Sequence, residues 1–377
     1  MKKSIYFKNL DGLRFFCFLS VFLFHSFYSE IEVIKNSPIY VFFKKELFAN
    51  GNLGVNFFFV LSGFLITYLL VEEKKMNGQI SLPKFWLRRI LRIWPLFFIC
   101  VFIGFVIFPF IKNMLGLGTN ETADPVYYLT FLNNFDFINK GLPDASILGV
   151  LWSIAIEEQF YFIWPIIIFL FPLKKLWIPF TVILLSNLIF RSCNDTYMMH
   201  EYHTLSCIGD MSIGAIGAWL FNISNRFRIV IEKFSRFHIL LIYLLLIFVF
   251  LFRDEFLFSN SYIRIFERLI ISIIILFVIL EQSFSINSLF KLSNFKKISN
   301  LGIITYGLYC LHFIGILITI NITKYFNFNN QLWQVMILET ILSLLITVII
   351  AKLSYKYFEL PFLKFKERFS FITKNQV

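Results

Sequence analysis

Charge is scarce in this chain of 377 residues, since only 15% are Asp, Glu, Lys or Arg while 58% are hydrophobic. A water-soluble domain carries about 25% charged residues, so this composition excludes the soluble globular class. Cysteine is scarce as well, with five residues that lie far apart and mostly in apolar stretches. Such spacing offers neither a disulfide framework nor a cysteine-rich metal site, and we expect no metal.

Long apolar runs are what the chain has in abundance, and its mean hydropathy is +0.74. Runs of about 18 or more residues recur along the sequence, which is enough to cross a bilayer as a helix. We place spans near residues 10–29, 51–71, 93–111, 147–171, 176–190, 205–222, 238–252, 262–281, 300–320 and 333–352. The sequence therefore predicts an all-α polytopic integral membrane protein with about ten transmembrane helices, surrounded by membrane lipid. We expect one transmembrane domain over residues 1–377, in the plasma (inner) membrane.

The distribution of positive charge predicts the orientation of these spans. Of the 35 lysines and arginines, 24 lie in the alternate segments that include the N-terminus, and eight lie in the others. Lysine and arginine accumulate on the cytoplasmic side of membrane proteins, so both termini are predicted to be cytoplasmic, with a basic tail over 353–377. The same rule accounts for the net charge of +12, and no nucleic-acid partner is needed to explain it. Charged residues in the first run argue against a cleaved signal peptide.

Two ionisable residues lie on one face of the first predicted span. Arg14 and His25 are eleven residues apart, which on a helix is about three turns and about 16 Å. Ionisable groups inside a membrane are costly and are functional by default. This pair is therefore the first candidate for a reaction site.

Three arginines follow the second span, and they are close enough to converge. Arg88 and Arg92 are four residues apart, and Arg89 and Arg92 are three apart. On a helix their guanidinium groups can reach one anion, and arginine forks onto phosphate where lysine cannot. The alternative is a basic anchor at the membrane surface, which would explain any positive cluster but not the use of arginine at all three positions.

The fourth span carries a polar stripe. Ser153, Glu157 and Tyr161 recur every four residues, and Glu157 and Glu158 are adjacent carboxylates near the middle of the membrane. Two such carboxylates are hard to explain by packing. Counting along the helices puts Glu157 within about 7 Å of the depth of His25. We therefore expect Glu157 and His25 to face one cavity, with Glu157 rather than Glu158 as the functional acid.

Later spans add further polar candidates. Asp210 is a carboxylate in the sixth span that either pairs with an arginine or lines the cavity. Tyr309 and His312 share one face of the ninth span. His312 alone would be read as a satisfied core histidine, so its assignment depends on the other candidates.

Six segments together resemble the acyltransferase-3 family of integral membrane O-acyltransferases. The segments occur in the family order and are Leu10–Arg14 with His25, Gly54–Leu65, Arg88–Pro95, Trp152–Tyr161, Tyr306–His312 and Glu359–Phe362. One departure is Asn56, where the family often has Asp, so we assign no proton-handling role to this position. We also expect no C-terminal esterase-like domain, so a second transfer is expected to need another protein.

The resemblance implies an acyl-coenzyme A donor, usually acetyl-CoA, and a hydroxyl acceptor on a carbohydrate or glycan. In this interpretation His25 is the general base, and Glu157 orients or charges His25 or helps to bind the acceptor. Arg14 stabilises negative charge on the thioester or a phosphate, and Arg88, Arg89 and Arg92 bind the coenzyme phosphates. The residues expected to bind substrate are Trp152, Ser153, Tyr161, Asp210, Tyr309 and His312. Direct transfer, an acyl-enzyme and a homo-oligomer all stay open.

The alternative from another class is a transporter of a glycan or other solute. Many helices and intramembrane His, Glu and Asp would suit it. However, transporters often consist of two repeated halves with broken helices, and this sequence shows no such symmetry. Release of free coenzyme A distinguishes the enzyme from the transporter.

Overall fold

A computed structural model describes residues 6–369, and the residues in this range form helices and no strand. Ten of these helices have 16 or more residues. They are α1 (Lys8–His25), α2 (Leu53–Asn77), α3 (Leu82–Phe102), α4 (Trp152–Leu170), α5 (Trp177–Ser192), α6 (Thr204–Ile223), α7 (Arg236–Arg253), α8 (Ser261–Phe284), α9 (Thr305–Tyr325) and α10 (Glu339–Ser354). The all-helical prediction is confirmed.

Shorter helical segments connect or extend the ten. Separate short helices lie at Glu32–Lys35, Pro38–Val41, Phe108–Met114, Pro125–Leu129, Asn133–Lys140, Ser146–Gly149, Tyr197–Tyr202, Asn225–Glu232, Lys296–Ile303 and Leu360–Glu367. Single π or 3₁₀ turns lie at Phe42–Leu47, Ile103–Ile107, Leu173–Lys175, Asp254–Phe258, Leu292–Asn294, Gln334–Leu338 and Tyr355–Glu359. The predicted basic tail is therefore partly helical, and its last eight residues lie outside the described range.

Within residues 6–369, eight helical stretches are long and apolar enough to cross a membrane. They contain every long helix except α1 and α8, which also coincide with predicted spans. Those two helices are richer in charge, since α1 holds Lys8, Asp11 and Arg14 while α8 holds two arginines and two glutamates. The protein is thus a multi-pass membrane protein, while the count of ten spans and the side of each terminus stay predictions.

Polar side chains cap the N-termini of several of the long helices. The Asn260 side chain accepts hydrogen bonds from the backbone N–H groups of Tyr262 and Ile263 at the start of α8. His203 Nδ1 accepts one from the Leu205 N–H, 3.1 Å away, at the start of α6. Each cap satisfies an N–H group that the helix itself leaves without an acceptor. The imidazole of His203 thus has a structural role at the start of this helix.

The centre of the bundle is a close crossing of α2 and α6. A methyl group added at Gly63 would come within 1.9 Å of the Met211 carbonyl oxygen, and one at Gly214 within 2.0 Å of that of Val60. Only glycine allows backbones to approach this closely, as is common between membrane helices. Because of this crossing, 72% of the apolar stretch of α2 is buried, whereas 17% is buried in α7 at the periphery.

Six buried charges of balanced sign connect α5, α6, α7 and α8. Arg268 donates to Asp210 at 2.6 Å, and Arg191 donates to Glu267 at 2.9 Å. Arg253 pairs with both Glu201 and Glu267. Buried ions are tolerated only when they are paired and hydrogen-bonded, so this cluster explains the charge of α8 as structural.

Candidate active site

A cavity of about 300 Å³ lies between α1, α2, α3, α4 and α9. Its wall includes the first turns of α1 and α9 and the arginine-rich start of α3, which are the ends predicted to face the cytoplasm. Seven of the twelve predicted site residues line this space. They are Arg14, Arg89, Arg92, Ser153, Glu157, Tyr161 and Tyr309.

Three guanidinium groups face the cavity, and two of them have no acidic partner. Arg14 donates to Asp11 Oδ1 at 2.5 Å, and Asp11 also accepts a hydrogen bond from the Tyr6 hydroxyl. In the described part of the chain, Arg89 and Arg92 form no salt bridge. Arg89 instead lies over the ring of Tyr161, with 5.5 Å from its guanidinium carbon to the ring centre. The cavity therefore offers Arg89 and Arg92 to an anion, while the carboxylates of Glu157 and Glu359 line the same space.

Arg88, the third member of the predicted arginine cluster, does not line the cavity. Its guanidinium donates to Glu73 at 3.2 Å and to the backbone carbonyl of Phe369 at 2.9 Å. Adjacent residues on a helix point about 100° apart, and here Arg89 faces the cavity while Arg88 faces Glu73. The convergence of three arginines does occur, but with Arg14 in place of Arg88.

A chain of hydrogen bonds leads to Glu157 inside the cavity. The Tyr161 hydroxyl donates to Ser62 Oγ at 3.0 Å, and Ser62 Oγ donates to Glu157 Oε1 at 2.7 Å. Glu158 points to α3 instead, where it accepts a hydrogen bond from Trp94 Nε1 at 2.8 Å. The two adjacent carboxylates therefore have different surroundings, and only Glu157 faces the cavity.

His25 and His312 form a pair outside the cavity lining. Their ring centres are 5.3 Å apart, and the His312 ring is 6.0 Å from that of Tyr309, which does line the cavity. Among the described residues, no carboxylate forms a hydrogen bond or salt bridge with either imidazole, and Glu157 is occupied by Ser62. The predicted contact between Glu157 and His25 is thus not formed in this structure.

A lysine caps the helix end that carries His25. Lys44 Nζ donates to the carbonyl oxygens of Phe24 at 2.8 Å and Ser26 at 2.7 Å. Lys44 lies between α1 and α2, outside the candidate spans, and burial lowers its pKa to about 8. These two hydrogen bonds hold the C-terminal end of α1 in place, and with it the backbone of His25.

The two remaining predicted residues also lie away from the cavity. Asp210 accepts hydrogen bonds from Arg268, from Ser272 at 2.8 Å and from Asn56 at 3.2 Å, so it belongs to the buried charge cluster. Trp152 packs edge to face against Tyr202, with ring centres 4.7 Å apart. In this structure, both make structural contacts.

Sequence reasoning did not select several polar residues that line the cavity. Ser62 connects Tyr161 with Glu157 through its hydroxyl. Tyr306 donates to the Ile93 carbonyl at 2.7 Å, and Glu359 accepts from Ser354 at 3.0 Å. Their polarity within an apolar sequence was the available signal. No group of three His, Cys, Asp or Glu in residues 6–369 is arranged to hold a metal ion.

Comparison with known proteins points to one family. Residues 7–355 match the model of the acyltransferase domain of that family. The chain is 28% identical over 412 residues to the peptidoglycan O-acetyltransferase OatA of Listeria monocytogenes, covering 98% of this chain and 59% of the relative. It is 26% identical over 396 residues to the O-acetyltransferase OatA of Staphylococcus aureus, covering 98% and 60%.

The chain therefore spans about three fifths of the length of these relatives. No solved structure matches it at a significant level. The family match nonetheless extends from the beginning of α1 to the end of α10. It confirms the resemblance inferred from the six segments, and the chain belongs to the acyltransferase-3 family.

Proposed function

We propose that the chain is a membrane-bound O-acyltransferase. It moves an acyl group, acetyl in the simplest case, from acyl-coenzyme A to a hydroxyl of a carbohydrate or cell-surface glycan. The Listeria relative is named a peptidoglycan O-acetyltransferase, so a glycan hydroxyl of peptidoglycan is the first acceptor to test.

The observation that carries this proposal is the grouping of Arg14, Arg89 and Arg92 around one cavity. The donor carries several phosphate charges, and guanidinium groups bind phosphate through paired, charge-assisted hydrogen bonds. Arg89 and Arg92 have no salt-bridge partner among the described residues, so they can contact an anion without first breaking an internal pair. The start of α3, which carries both, is predicted to face the cytoplasm, where acyl-coenzyme A is available.

The reacting groups follow from the same arrangement. His25 removes the proton of the acceptor hydroxyl as the acceptor oxygen bonds to the acyl carbon, and the bond from that carbon to sulfur breaks. The leaving thiolate then takes the proton. Arg14 lies about three turns from His25 along α1, so it contacts a coenzyme phosphate together with Arg89 and Arg92. His25 is the last residue of α1, at the end predicted to face outwards, so donor and acceptor approach from opposite sides of the membrane.

The remaining cavity residues bind and orient the acyl end of the donor. Glu157, held by Ser62, and the hydroxyls of Ser153 and Tyr309 line the wall that leads from the arginines to the histidine pair. Glu157 contributes negative charge close to the cationic groups, which limits how tightly the donor and the released coenzyme are held. This role differs from the direct contact with His25 expected from the sequence.

Donor binding and thioester cleavage test the proposal. Purified protein in lipid nanodiscs is mixed with acetyl-CoA, with and without peptidoglycan fragments, and free thiol and acetylated product are measured. Charge-assisted hydrogen bonds contribute about 1.5–3 kcal/mol each, so R89Q/R92Q should weaken acetyl-CoA binding by about 100-fold or more.

R226Q is the matched control, because Arg226 is an exposed arginine in the segment between α6 and α7, predicted to be cytoplasmic, and does not line the cavity. It should bind acetyl-CoA as the wild type does. Equal binding by the wild type and R89Q/R92Q would refute the donor site. Folded wild-type protein that binds no acetyl-CoA and releases no thiol would favour the transporter.

A further inference from the structure

The position of His312 assigns it a single tautomer. His312 is completely buried in α9, and its Nδ1 lies 2.7 Å from the carbonyl oxygen of Tyr309. A carbonyl oxygen can only accept, so Nδ1 carries the hydrogen of this bond. In a neutral imidazole the other nitrogen then has a free lone pair. His312 Nε2 is therefore a hydrogen-bond acceptor.

This acceptor has no partner. Among the described residues no group donates to His312 Nε2, although the atom is buried. Leaving a buried polar atom unsatisfied costs about 1–3 kcal/mol, and nearly all such atoms in proteins are paired. A buried lone pair with a fixed direction and no donor indicates a group that can accept a hydrogen bond or a proton.

The neighbour that can supply the donor is His25. The two imidazole rings are 5.3 Å apart between centres and inclined at 36°. The other rings around His312 are those of Phe18, Tyr309 and Phe313. Neither phenylalanine can donate a hydrogen bond, and the Tyr309 hydroxyl is already bonded to Ser153. His25 itself makes no side-chain hydrogen bond to another described residue, so its N–H is available to a neighbouring acceptor.

A base that acts on a hydroxyl usually needs a third group to fix its tautomer, and a carboxylate commonly takes that place. No carboxylate contacts His25 in the described residues, and Glu157 is engaged by Ser62. The buried histidine with the free lone pair is the remaining group of suitable chemistry within reach of the His25 ring.

We propose that His312 is the positioning residue for His25 in acyl transfer. His312 Nε2 accepts a hydrogen bond from one nitrogen of His25, so the other nitrogen keeps its lone pair for the acceptor hydroxyl. That nitrogen takes the hydroxyl proton as the new C–O bond forms and the C–S bond breaks, and it returns the proton to the thiolate. Both histidines end in their starting states. This inference rests on the proposed function.

Two amide variants separate this role from a packing role. Asparagine in H312N places its amide near the position of Nδ1, so it can keep the hydrogen bond to Tyr309 but offers no acceptor towards His25. Glutamine in H312Q places its amide near the position of Nε2, so it can accept from His25. A purely structural histidine predicts that H312N is the better variant, whereas positioning of His25 predicts that H312Q is.

The experiment measures kcat, the KM for acetyl-CoA and the thermal unfolding of each variant in nanodiscs. General-base steps contribute about 100-fold to 10,000-fold, so H312N should lower kcat by about 100-fold, with KM within about threefold of wild type. H312Q should retain at least ten times the kcat of H312N. If H312N does not fold, H312L, which fills the apolar site without an acceptor, takes its place in the comparison with H312Q.

Equal kcat values for H312Q and H312N, or a higher value for H312N, would overturn the positioning role. The reference variant H25A keeps this result separate from the proposed function. A wild type that transfers no acyl group from acetyl-CoA would refute the function before any His312 variant is compared. An active wild type and an inactive H25A, with no difference between the His312 amide variants, would refute only the positioning role.

Discussion

Ser153 Oγ and the Tyr309 hydroxyl lie 2.8 Å apart and join α4 to α9 in the wall of the cavity. Each also lies 3.3 Å from the carbonyl oxygen of Val150, so both hydroxyls are satisfied inside the membrane. The backbone carbonyl of Tyr309 in turn accepts the Nδ1 hydrogen of His312. Tyr309 therefore connects the cavity lined by arginines with the histidine pair.

Removing only the Tyr309 hydroxyl tests this connection. Y309F keeps the aromatic ring but loses one buried hydrogen bond, which should lower the free energy of unfolding by about 0.5–1.5 kcal/mol. It should also lower kcat by about tenfold without changing acetyl-CoA affinity, because the acyl end is less well oriented. Y262F, at a largely exposed tyrosine, is the control. An unchanged kcat in Y309F would remove this hydroxyl from the transfer step.

The adjacent carboxylates of α4 should respond differently to the same substitution. E157Q removes the negative charge that faces the cavity and helps to orient the acyl end of the donor, so we expect transfer to fall by about 100-fold. E158Q can still accept the hydrogen bond from Trp94 through its amide oxygen, and we expect less than a tenfold change. Steady-state thiol release from both variants makes the comparison. A larger loss in E158Q would show that Glu158, which points to α3, is the functional acid.

The helical architecture and the family were predictable from sequence because they depend on local patterns. Apolar runs of membrane length and six ordered segments are visible without knowing which helices pack together. The contacts of Asp210 were not predictable from sequence, because they depend on where α8 places Arg268, 58 residues later in the chain. Both interpretations of Asp210 were open in the sequence, and the observed contact favours the pairing one.

The arginine cluster was likewise predictable only in part from the sequence. Spacing of three and four residues correctly indicates that arginines can share a face, but it cannot indicate which neighbours cover that face. Arg88 pairs with Glu73 across the loop between α2 and α3, while Arg14 lines the cavity from a different helix. Depth along the helices likewise placed His25 and Glu157 at similar levels, but depth does not specify the direction in which each side chain points.

The pairing of Asp210 leads to a stability prediction. D210A would leave Arg268 buried without this partner, and breaking a buried ion pair costs about 3–5 kcal/mol. We expect a large loss of monodisperse protein in size-exclusion chromatography. The double variant D210A/R268M removes both charges and should recover part of the folded protein. If D210A is as stable as the wild type but inactive, Asp210 has a role in the reaction instead.

Lys44 gives a prediction for the pH dependence of stability. Its pKa in the folded protein is lowered by burial from 10.5 to about 8, so between these values the unfolded chain binds the proton that the folded protein has released. The free energy of unfolding must then rise with pH across this window. A neutral amine still has two N–H groups, which is enough for the carbonyls of Phe24 and Ser26.

K44M isolates this contribution, because it removes the titrating group while keeping much of the side-chain volume. The difference in unfolding temperature between wild type and K44M should grow in favour of the wild type from pH 8 to pH 10.5. Other lysines and tyrosines titrate in the same range, but they are common to both proteins and cancel in the difference. A constant difference over this range would mean that Lys44 keeps its charge in the folded protein. The end of α1 next to His25 would then carry a permanent positive charge instead of one that is lost above pH 8.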